Sequence, residues 1–392
     1  MHHSPKTIVH LIRQGKIGGG ESHVLSLVSR LDPARFRSVV ISFTDGPMID
    51  ALNTLGVKNY VVPTTTPFNP FVKNKVTSIL QNEEADLVHA HGTRAASNVF
   101  RSASEVNVPI VYTVHGWSFH KDQSKLLFIA RNTSERFLVY KANHTICVSE
   151  ANKAEGLSHF PMDRTSVVHN GVDFSRFNPQ NNARDKIRLE CGIPEGSFCF
   201  AYIVRMTVQK DPLNMVRAAA IAAEKDANIH FLMAGDGPLL EPAKKLALEL
   251  NVYHRISFPG FRTDVPELLS ACDAYALSSL WEGLPIGIIE AMGMEKPCVV
   301  SDIDANAELI EDGKHGYLVP MQNAEALAEG LLKLSSDPKN SAALGKAASI
   351  KARKMFDLGL MTKRVERVYE GLLGLPVSSD PVPHEPSKSG VE

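Results

Sequence analysis

The chain of 392 residues contains 44% apolar and 22% charged residues and has a net charge of −1, the composition of a globular protein. Its length exceeds one ordinary hydrophobic core and therefore predicts two domains. The composition excludes a disordered or fibrous chain. No nucleic acid partner is expected.

The apolar runs and the cysteines predict a cytoplasmic protein. The run at residues 7–12 is too short for a secretory signal, and no run approaches the roughly 18 apolar residues that a spanning helix needs. The five cysteines form neither a C-x-x-C pair nor a zinc pattern with histidine, as expected in a reducing compartment. We expect a soluble chain, or one that is peripheral at the inner face of the cell membrane.

Residues 1–172 alternate short β-rich runs with amphipathic segments. This repetition predicts a parallel sheet with helices on both faces, because parallel pairing needs a crossover connection. The predicted strands span residues 7–12, 38–43, 59–62, 86–90, 110–114, 145–148 and 166–169. This half holds 18 Lys and Arg against 13 Asp and Glu, whereas the remainder is acidic overall. The positive excess suits an anionic acceptor or a membrane surface, and equally suits ordinary solvated faces.

Residues 173–359 repeat the alternation after a polar linker that begins near Asp173. The predicted strands span residues 198–204, 229–234, 256–259, 274–277, 298–301 and 317–319. A last helical segment, residues 360–375, is expected to cross back to the first domain, and the Pro- and Ser-rich residues 376–392 are expected to be disordered. The predicted fold class is therefore α/β, with two doubly wound Rossmann-like domains and ligands bound in the interdomain cleft, at the carboxyl ends of the strands.

A run of three glycines, Gly18-Gly19-Gly20, follows the first predicted strand and precedes a helix. Glycines let a ligand approach the backbone closely, and the N–H groups and dipole of a helix start favour a phosphate. The run matches neither G-x-G-x-x-G nor a Walker A loop, so it does not indicate a nicotinamide or ATP site. A phosphate contact and a simple tight turn are equally compatible with it.

Two cations, Arg205 and Lys210, follow the first strand of the second domain and stand five residues apart. At a strand end, just before a helix, they are placed to bracket a diphosphate and neutralise its charge, although a solvated loop would also carry such residues. The next strand ends in the turn Ala234-Gly235-Asp236-Gly237-Pro238. Its glycines predict a tight turn with a supporting role in the site.

The segment 278–292 contains two carboxylates, Glu282 and Glu290. Pro285 suits the first position of a helix, which puts Glu282 just before the helix and Glu290 on its second turn. Carboxylates accept hydrogen bonds from sugar hydroxyls. Glu290 has apolar flanks, so it is expected to be partly buried and to need partners rather than to be an ordinary surface residue. Free backbone N–H groups are expected at Gly283, Leu284 and Ile286.

With these motifs, the chain resembles the retaining glycosyltransferases of family 4, which have the GT-B architecture of two Rossmann-like domains. The resemblance covers nearly the whole chain apart from the tail. It rests on several motifs in the family's order, which are Gly18-Gly19-Gly20-Glu21, Thr113-Val114-His115-Gly116, Val148-Ser149-Glu150, Asn170-Gly171-Val172-Asp173, Arg205 with Lys210, Gly235-Asp236-Gly237-Pro238, and the pair Glu282 and Glu290. One such motif is weak evidence, whereas the ordered set is specific.

The resemblance implies a role for each matching residue. Arg205 and Lys210 would hold the donor diphosphate and stabilise the leaving nucleotide. His115 and Glu282 would lie beside the donor sugar, and these four are the implied catalytic residues. Glu290 would bind the ribose hydroxyls. The other residues implied in donor binding are Gly19, Gly20, Gly235, Gly237, Phe261, Gly283, Leu284, Pro285 and Ile286.

The resemblance also implies the reaction. A sugar would move from a nucleotide-sugar donor, linked to UDP or GDP, to a glycan or lipid-linked acceptor in polysaccharide or glycoconjugate synthesis, with retained configuration. Cations and N–H dipoles would stabilise the leaving phosphate, so no metal and no cofactor is expected. Attack on the face that the phosphate leaves is favoured over a covalent intermediate, because the family offers no agreed nucleophile.

The acceptor is expected at the N-terminal domain. Aromatic and basic side chains occur together after His115 and on a later long helix, at Trp117, Phe119, His120, Lys121, Phe128, Arg131, Arg136 and Tyr140. Such a combination can hold a glycolipid at a membrane surface. Burial of Phe128 and Tyr140 in the core is the more common arrangement for such a stripe.

Two other functions remain alternatives at this point. A nucleotide-sugar epimerase of the same architecture would isomerise the sugar without an acceptor, and a non-catalytic nucleotide-binding module would bind the donor without hydrolysis or transfer. A dehydrogenase is disfavoured, because neither domain contains the dinucleotide fingerprint followed by an acidic residue about twenty positions on.

Overall fold

The computed structural model describes residues 4–120, 123–181 and 183–377, and within them the chain forms two parallel sheets. The central strands are apolar and buried on both faces, as a sheet covered by helices on either side requires. The first sheet contains β1 (Lys6–Ile12), β2 (Phe36–Ser42), β3 (Lys58–Val61), β4 (Leu87–His91), β5 (Ile110–Val114), β6 (His144–Cys147) and β7 (Thr165–Val167). Its spatial order is β3-β2-β1-β4-β5-β6-β7.

The second sheet repeats this arrangement. It contains β8 (Phe198–Ile203), β9 (Ile229–Ala234), β10 (Ile256–Gly260), β11 (Ala274–Leu277), β12 (Cys298–Ser301) and β13 (Gly316–Val319). The order is β10-β9-β8-β11-β12-β13, and neighbouring strands are parallel. Each observed strand overlaps a predicted one, and the predicted α/β class with two Rossmann-like domains is confirmed.

Helices connect the strands and cover both sheets. The first domain contributes α1 (Gly19–Arg30), α2 (Pro47–Thr54), α3 (Lys73–Asn82), α4 (Thr93–Val106), α5 (Lys125–Lys141) and α6 (Glu150–Leu157). The rest are α7 (Arg184–Cys191), α8 (Pro212–Lys225), α9 (Leu240–Glu249), α10 (Val265–Ala271), α11 (Ile286–Gly293), α12 (Asp304–Leu309), α13 (Ala324–Ser336), α14 (Pro338–Met355) and α15 (Leu358–Leu373). In the part of the chain that the structure describes, no helix combines the length and apolarity that crossing a bilayer demands.

Two helix starts near the cleft follow from their sequences. Asp211 caps α8, accepting a hydrogen bond from the N–H of Asn214 at 3.3 Å, and a proline takes the next position. Pro285 was predicted as the first residue of α11, but its ψ of 109° is extended and the helix begins one residue later. The difference leaves Glu290 on the second turn.

The last helix, α15, packs on the first sheet. Its apolar face enters a hydrophobic cluster with Ile8, Leu27 and Leu87 of the N-terminal domain. The helix residues of that cluster recur every three or four positions, as an amphipathic helix requires, and are Leu358, Met361, Val365 and Tyr369. The domain bounds 1–172 and 173–359 stay a prediction. The tail expected to be disordered lies almost wholly outside the described residues.

Candidate active site

The candidate site lies at the carboxyl ends of the strands, where both sheets reverse their strand order. In each sheet the first strand, β1 or β8, lies inside the sheet, and the chain continues first to one side and then to the other. Such a reversal leaves a crevice in which ligands bind. The predicted site residues lie on the loops after β1, β5, β8, β9, β10 and β11 or at the starts of the helices that follow them.

The glycine run faces Arg205 across the cleft. A Cβ atom built on Gly18 would lie 3.8 Å from Nε of Arg205, and one built on Gly20 would lie 3.5 Å from the ring of His115. Gly19 has open space around it, and the side chain of Arg205 is exposed. The run therefore lies where backbone amides of one domain and a guanidinium of the other can contact the same anion.

Gly235 and Gly237 pack beneath the loop that carries Arg205. A side chain at Gly235 would overlap the carbonyl oxygen of Val204, and a Cβ at Gly237 would lie 2.5 Å from the carbonyl oxygen of Met206. Their φ angles of 134° and 151° also favour glycine. These contacts give both residues a packing role that fixes Arg205, and direct contact with the donor stays a prediction.

Lys210 and Glu282 form an ion pair that is largely shielded from solvent. Nζ of Lys210 contacts Oε1 of Glu282, and their side chains are 16% and 7% exposed. Gln209 donates to Oε2 of Glu282 at 3.4 Å and to the carbonyl of Trp281 at 2.9 Å. The carboxylate thus holds the ammonium in place at the cleft, and a contact of Glu282 with the sugar stays a prediction.

Side chains of the N-terminal domain hold the loop that follows Glu282. Ser149 Oγ donates to the carbonyl of Gly283 at 2.7 Å, and Asn170 Nδ2 donates to the carbonyl of Leu284 at 2.8 Å. Since the C=O and N–H of one peptide point in opposite directions, the N–H of Leu284 points away from Ser149. It has no acceptor among the described residues although Leu284 is buried. A buried N–H without an acceptor is costly unless a ligand supplies one.

Gly283 lies directly against the backbone of His115. A Cβ at Gly283 would overlap the carbonyl oxygen of His115, so the two domains meet here with no room for a side chain. Burial holds the pKa of His115 well below its usual range, and the charges of His23 and Arg13 lower it further. The imidazole is therefore neutral at physiological pH, beside the loop predicted to bind the donor.

Glu290 lies on the second turn of α11 without a hydrogen-bond or ion-pair partner among the described residues. Burial raises its pKa to about 7, although the positive charge of Arg176 opposes the shift. A half-buried carboxylate without a partner fits the predicted contact with ribose hydroxyls. Pro285 and Ile286 lead from the loop into this helix.

Phe261 directly follows β10 and is 53% exposed. An exposed aromatic ring at the carboxyl edge of the sheet offers a face on which a nucleobase can stack. The part in donor binding that the resemblance implies for Phe261 is compatible with this position and stays a prediction.

Arg13 and Glu21 are charged groups at the site to which the sequence reasoning gave no role. Nε of Arg13 lies 3.8 Å from Oε1 of Glu21, which is 2% exposed. Burial raises the pKa of Glu21, and the charges of Arg13 and Arg205 oppose the shift. Arg13 directly follows β1 and precedes the glycine run, and this position in the sequence could have indicated that it belongs to the site.

A D-x-D pattern is also present, at Asp302-Ile303-Asp304 after β12. Other transferases hold a divalent ion with this pattern. Here both carboxylates are exposed, and within the described ranges neither belongs to a group of three side chains close enough to share an ion. The expectation of a reaction without metal stays a prediction.

Two of the aromatic residues expected to face the acceptor, Trp117 and Phe119, are packed in the core. Trp117 and Phe119 are 3% and 1% exposed, and their rings stack 5.5 Å apart. The expectation is wrong for these two, because their rings complete the hydrophobic cluster beside β5. Phe128 packs partly against this cluster, whereas Tyr140 is 72% exposed. Lys121 lies outside the described residues.

Sequence models of two families match the two halves of the chain. Glycosyltransferase Family 4 matches residues 17–176, and Glycosyl transferases group 1 matches residues 183–351. The chain belongs to the group 1 glycosyltransferases of family 4. It is therefore a glycosyltransferase, of the type that uses nucleotide-sugar donors. The resemblance read from the motifs is confirmed.

Relatives and solved structures agree with this membership. The chain is 28% identical over 346 residues to UDP-Gal:alpha-D-GlcNAc-diphosphoundecaprenol alpha-1,3-galactosyltransferase of Escherichia coli, over 86% of this chain and 89% of that one. HepE of Anabaena, solved with UDP and glucose, superposes with a TM-score of 0.83 at 23% identity, over 93% of this chain and 100% of that one. WaaG, a glycosyltransferase involved in lipopolysaccharide biosynthesis, superposes with a TM-score of 0.75 at 18% identity, over 93% of this chain and 100% of that one. The GT-B architecture is confirmed.

Replacing Gly283 by alanine should abolish sugar transfer without unfolding the chain. The added methyl group would overlap the backbone of His115, so the loop must leave the position that Ser149 and Asn170 define. We expect a loss of at least about a hundredfold in kcat/KM, as for misplaced catalytic groups. The matched control is Gly371→Ala on α15, where a Cβ meets open space. Equal activity of the two variants, with circular dichroism confirming that both are folded, would contradict the account.

Donor affinity should rise with pH through the titration of Glu290. Its raised pKa of about 7 means that the carboxylate, the better acceptor for ribose hydroxyls, prevails only above that pH. Between pH 6 and pH 8 we expect calorimetric affinity for a nucleotide-sugar to increase by up to about tenfold. The diphosphate diester of the donor does not titrate in this range. Glu290→Gln should bind weakly and with no pH dependence, and an equally steep profile in that variant would refute the assignment.

Proposed function

We propose that the protein is a retaining glycosyltransferase that moves a sugar from a UDP-sugar to a lipid-linked glycan acceptor. The observation that carries the proposal is the approach of the Gly18 backbone to Arg205 across the cleft. The relative from Escherichia coli is named for UDP-Gal and a diphosphoundecaprenol acceptor, and HepE was solved with UDP-glucose. Both names support a UDP-sugar as the donor here.

The main catalytic contribution is electrostatic. As the bond between the sugar and the diphosphate breaks, the phosphate gains negative charge and the sugar becomes positive. Arg205, Lys210 and the N–H of Leu284 offer donors on the side where the negative charge develops, and a closed cleft strengthens them by excluding water. These groups supply the charge stabilisation that a metal gives in other transferases, so we propose a reaction without metal or cofactor.

The acceptor attacks the face from which the diphosphate departs. The C1–O bond to the β-phosphate breaks, the acceptor oxygen bonds to C1 on the same face, and its proton passes to the departing phosphate oxygen. No carboxylate is then required as a nucleophile, which agrees with the pairing of Glu282 to Lys210. His115, neutral and beside the loop, would line the sugar side of the site.

Helix α5 is the proposed membrane contact that brings the enzyme to a lipid-linked acceptor. Its Leu126 and Ile129 are 83% and 52% exposed, and Tyr140 lies exposed at its other end. Exposed lysine and arginine side chains lie among them, at Lys125, Arg131 and Lys141. Apolar and basic side chains on one exposed helix suit the boundary of an anionic bilayer.

A panel of UDP-, GDP- and ADP-sugars offered with a diphosphoundecaprenol-linked sugar tests the function. We expect transfer from a UDP-sugar, and nuclear magnetic resonance of the product should show an anomeric configuration equal to that of the donor. Inverted product or a trapped glycosyl-enzyme adduct would overturn the same-face mechanism. Isomerised donor formed without acceptor would indicate an epimerase, and binding without turnover would indicate a non-catalytic module.

Flotation with lipid vesicles tests the membrane contact. The chain should float with vesicles of phosphatidylglycerol and phosphatidylcholine and not with phosphatidylcholine alone, because the positive charges need anionic lipid. Leu126→Glu with Ile129→Glu should abolish flotation. The control Leu189→Glu changes a leucine that is 86% exposed on the other domain and should float normally. Flotation that survives the α5 substitutions would exclude this helix as the contact.

A further inference from the structure

Five histidines of the N-terminal domain gather beneath the cleft, and the proposed mechanism uses only one. Strands β1, β4 and β5 are neighbours in the middle of the first sheet, so side chains on the same face of these strands lie close together. The five are His10 on β1, His23 on α1, His89 and His91 on β4, and His115 after β5. Four of them are almost wholly buried, and His115 is partly exposed at the cleft.

Two of the five histidines have structural roles. His89 uses both ring nitrogens, with Nδ1 at 2.5 Å from the hydroxyl of Tyr369 and Nε2 at 2.6 Å from that of Thr113. Nδ1 of His10 lies 3.3 Å from Nε2 of His91. These contacts leave His89 no free lone pair and anchor one side of the His91 ring.

The other three converge. One ring nitrogen of each of His23, His91 and His115 lies within 4.8 Å of one nitrogen of each of the others. Nδ1 of His91 and Nε2 of His115 are 3.3 Å apart. Two ligands on a tetrahedral zinc ion, with bonds of about 2.0–2.1 Å, are separated by about 3.3 Å. The spacing of this pair therefore suits a shared ion as well as it suits a weak hydrogen bond.

His23 is oriented as a metal ligand would be. Nδ1 of His23 faces Oδ1 of Asn170 at 3.1 Å, and the amide is fixed in this sense because its Nδ2 donates to the carbonyl of Leu284. The hydrogen of His23 therefore lies on Nδ1, and Nε2 carries a lone pair. Nε2 is buried and has no partner among the described residues. A histidine held through one nitrogen with the other free is the usual arrangement around a metal.

We propose that His23, His91 and His115 bind one zinc-class divalent ion, and that the bound ion inhibits sugar transfer. Neutral imidazoles without a carboxylate favour zinc or cobalt over magnesium or calcium. His115 is the partly exposed member of the three and opens the remaining coordination position to the cleft. Arg13 opposes the ion with its own charge, so the site is weaker than a structural zinc site.

Inhibition follows from charge and rests on the proposed function. An ion bound by His115 would place two positive charges beside the sugar, which itself becomes positive as its bond to phosphate breaks. It would also take the free nitrogen of the ring that lines the site. The ion therefore raises the barrier to transfer while leaving the folded chain intact.

Metal titration of the full chain tests the site directly. The parent carries His2→Ala and His3→Ala, because these terminal histidines would compete for metal. We expect one Zn²⁺ per chain by calorimetry, and visible Co²⁺ absorption bands typical of four-coordinate nitrogen and oxygen ligands. His23→Gln should weaken Zn²⁺ binding by at least about tenfold. The control His254→Gln, an exposed histidine of the other domain, should leave the affinity unchanged.

Several outcomes would overturn the site. They are the absence of Co²⁺ bands in the parent, thiolate charge-transfer bands that place the ion at a cysteine, or unchanged affinity in His23→Gln. If His23→Gln fails to fold, the Co²⁺ spectrum of the parent still tests whether the site exists. Saturating Zn²⁺ should lower transfer at least about tenfold, reversibly with a chelator. If Zn²⁺ binds and sugar transfer is unchanged, only the proposed inhibition is wrong. If the metal-free protein transfers no sugar, only the proposed function is wrong.

Discussion

The close contact between Gly283 and the backbone of His115 is the constraint on which the site depends. It joins the two domains at one point, and Ser149 and Asn170 of the N-terminal domain hold the adjoining carbonyls of the C-terminal loop. The loop is thus shaped by both domains. The position of the buried Leu284 N–H depends on this contact, and so does the donor binding that we propose for the loop.

The charges of this arrangement suit a diphosphate. Lys210 is already paired with Glu282, whereas Arg205 has no ion-pair partner within the described ranges. Partial loss of solvent around the guanidinium lowers the pKa of Arg205, and the charge of Arg13 lowers it further, so two like charges lie near one another. A doubly charged anion between them removes this repulsion and gains charge-assisted hydrogen bonds. The charges of Arg13 and Arg205 therefore suit the diphosphate of the proposed nucleotide-sugar donor.

Much of the fold could be predicted because each strand is a short apolar run and parallel pairing requires the helices between them. The loops holding Gly18, Arg205 and Glu282 could be placed for the same reason, since parallel strands end at one edge. Contacts between distant residues could not be predicted. Asn170 meets Leu284 only after both domains have folded. The histidine cluster depends on β4 lying between β1 and β5, and Trp117 was misassigned because an aromatic residue after a strand has the same pattern whether buried or exposed.

The most direct test of the central claim is the transfer rate of Arg205→Ala with a saturating donor. Loss of one electrostatic donor to the leaving phosphate should raise the barrier by about 3 kcal/mol, or roughly a hundredfold in kcat. Arg217→Ala, which removes an exposed arginine from α8 of the same domain, should keep its rate. Wild-type turnover in the folded Arg205→Ala variant would contradict the account.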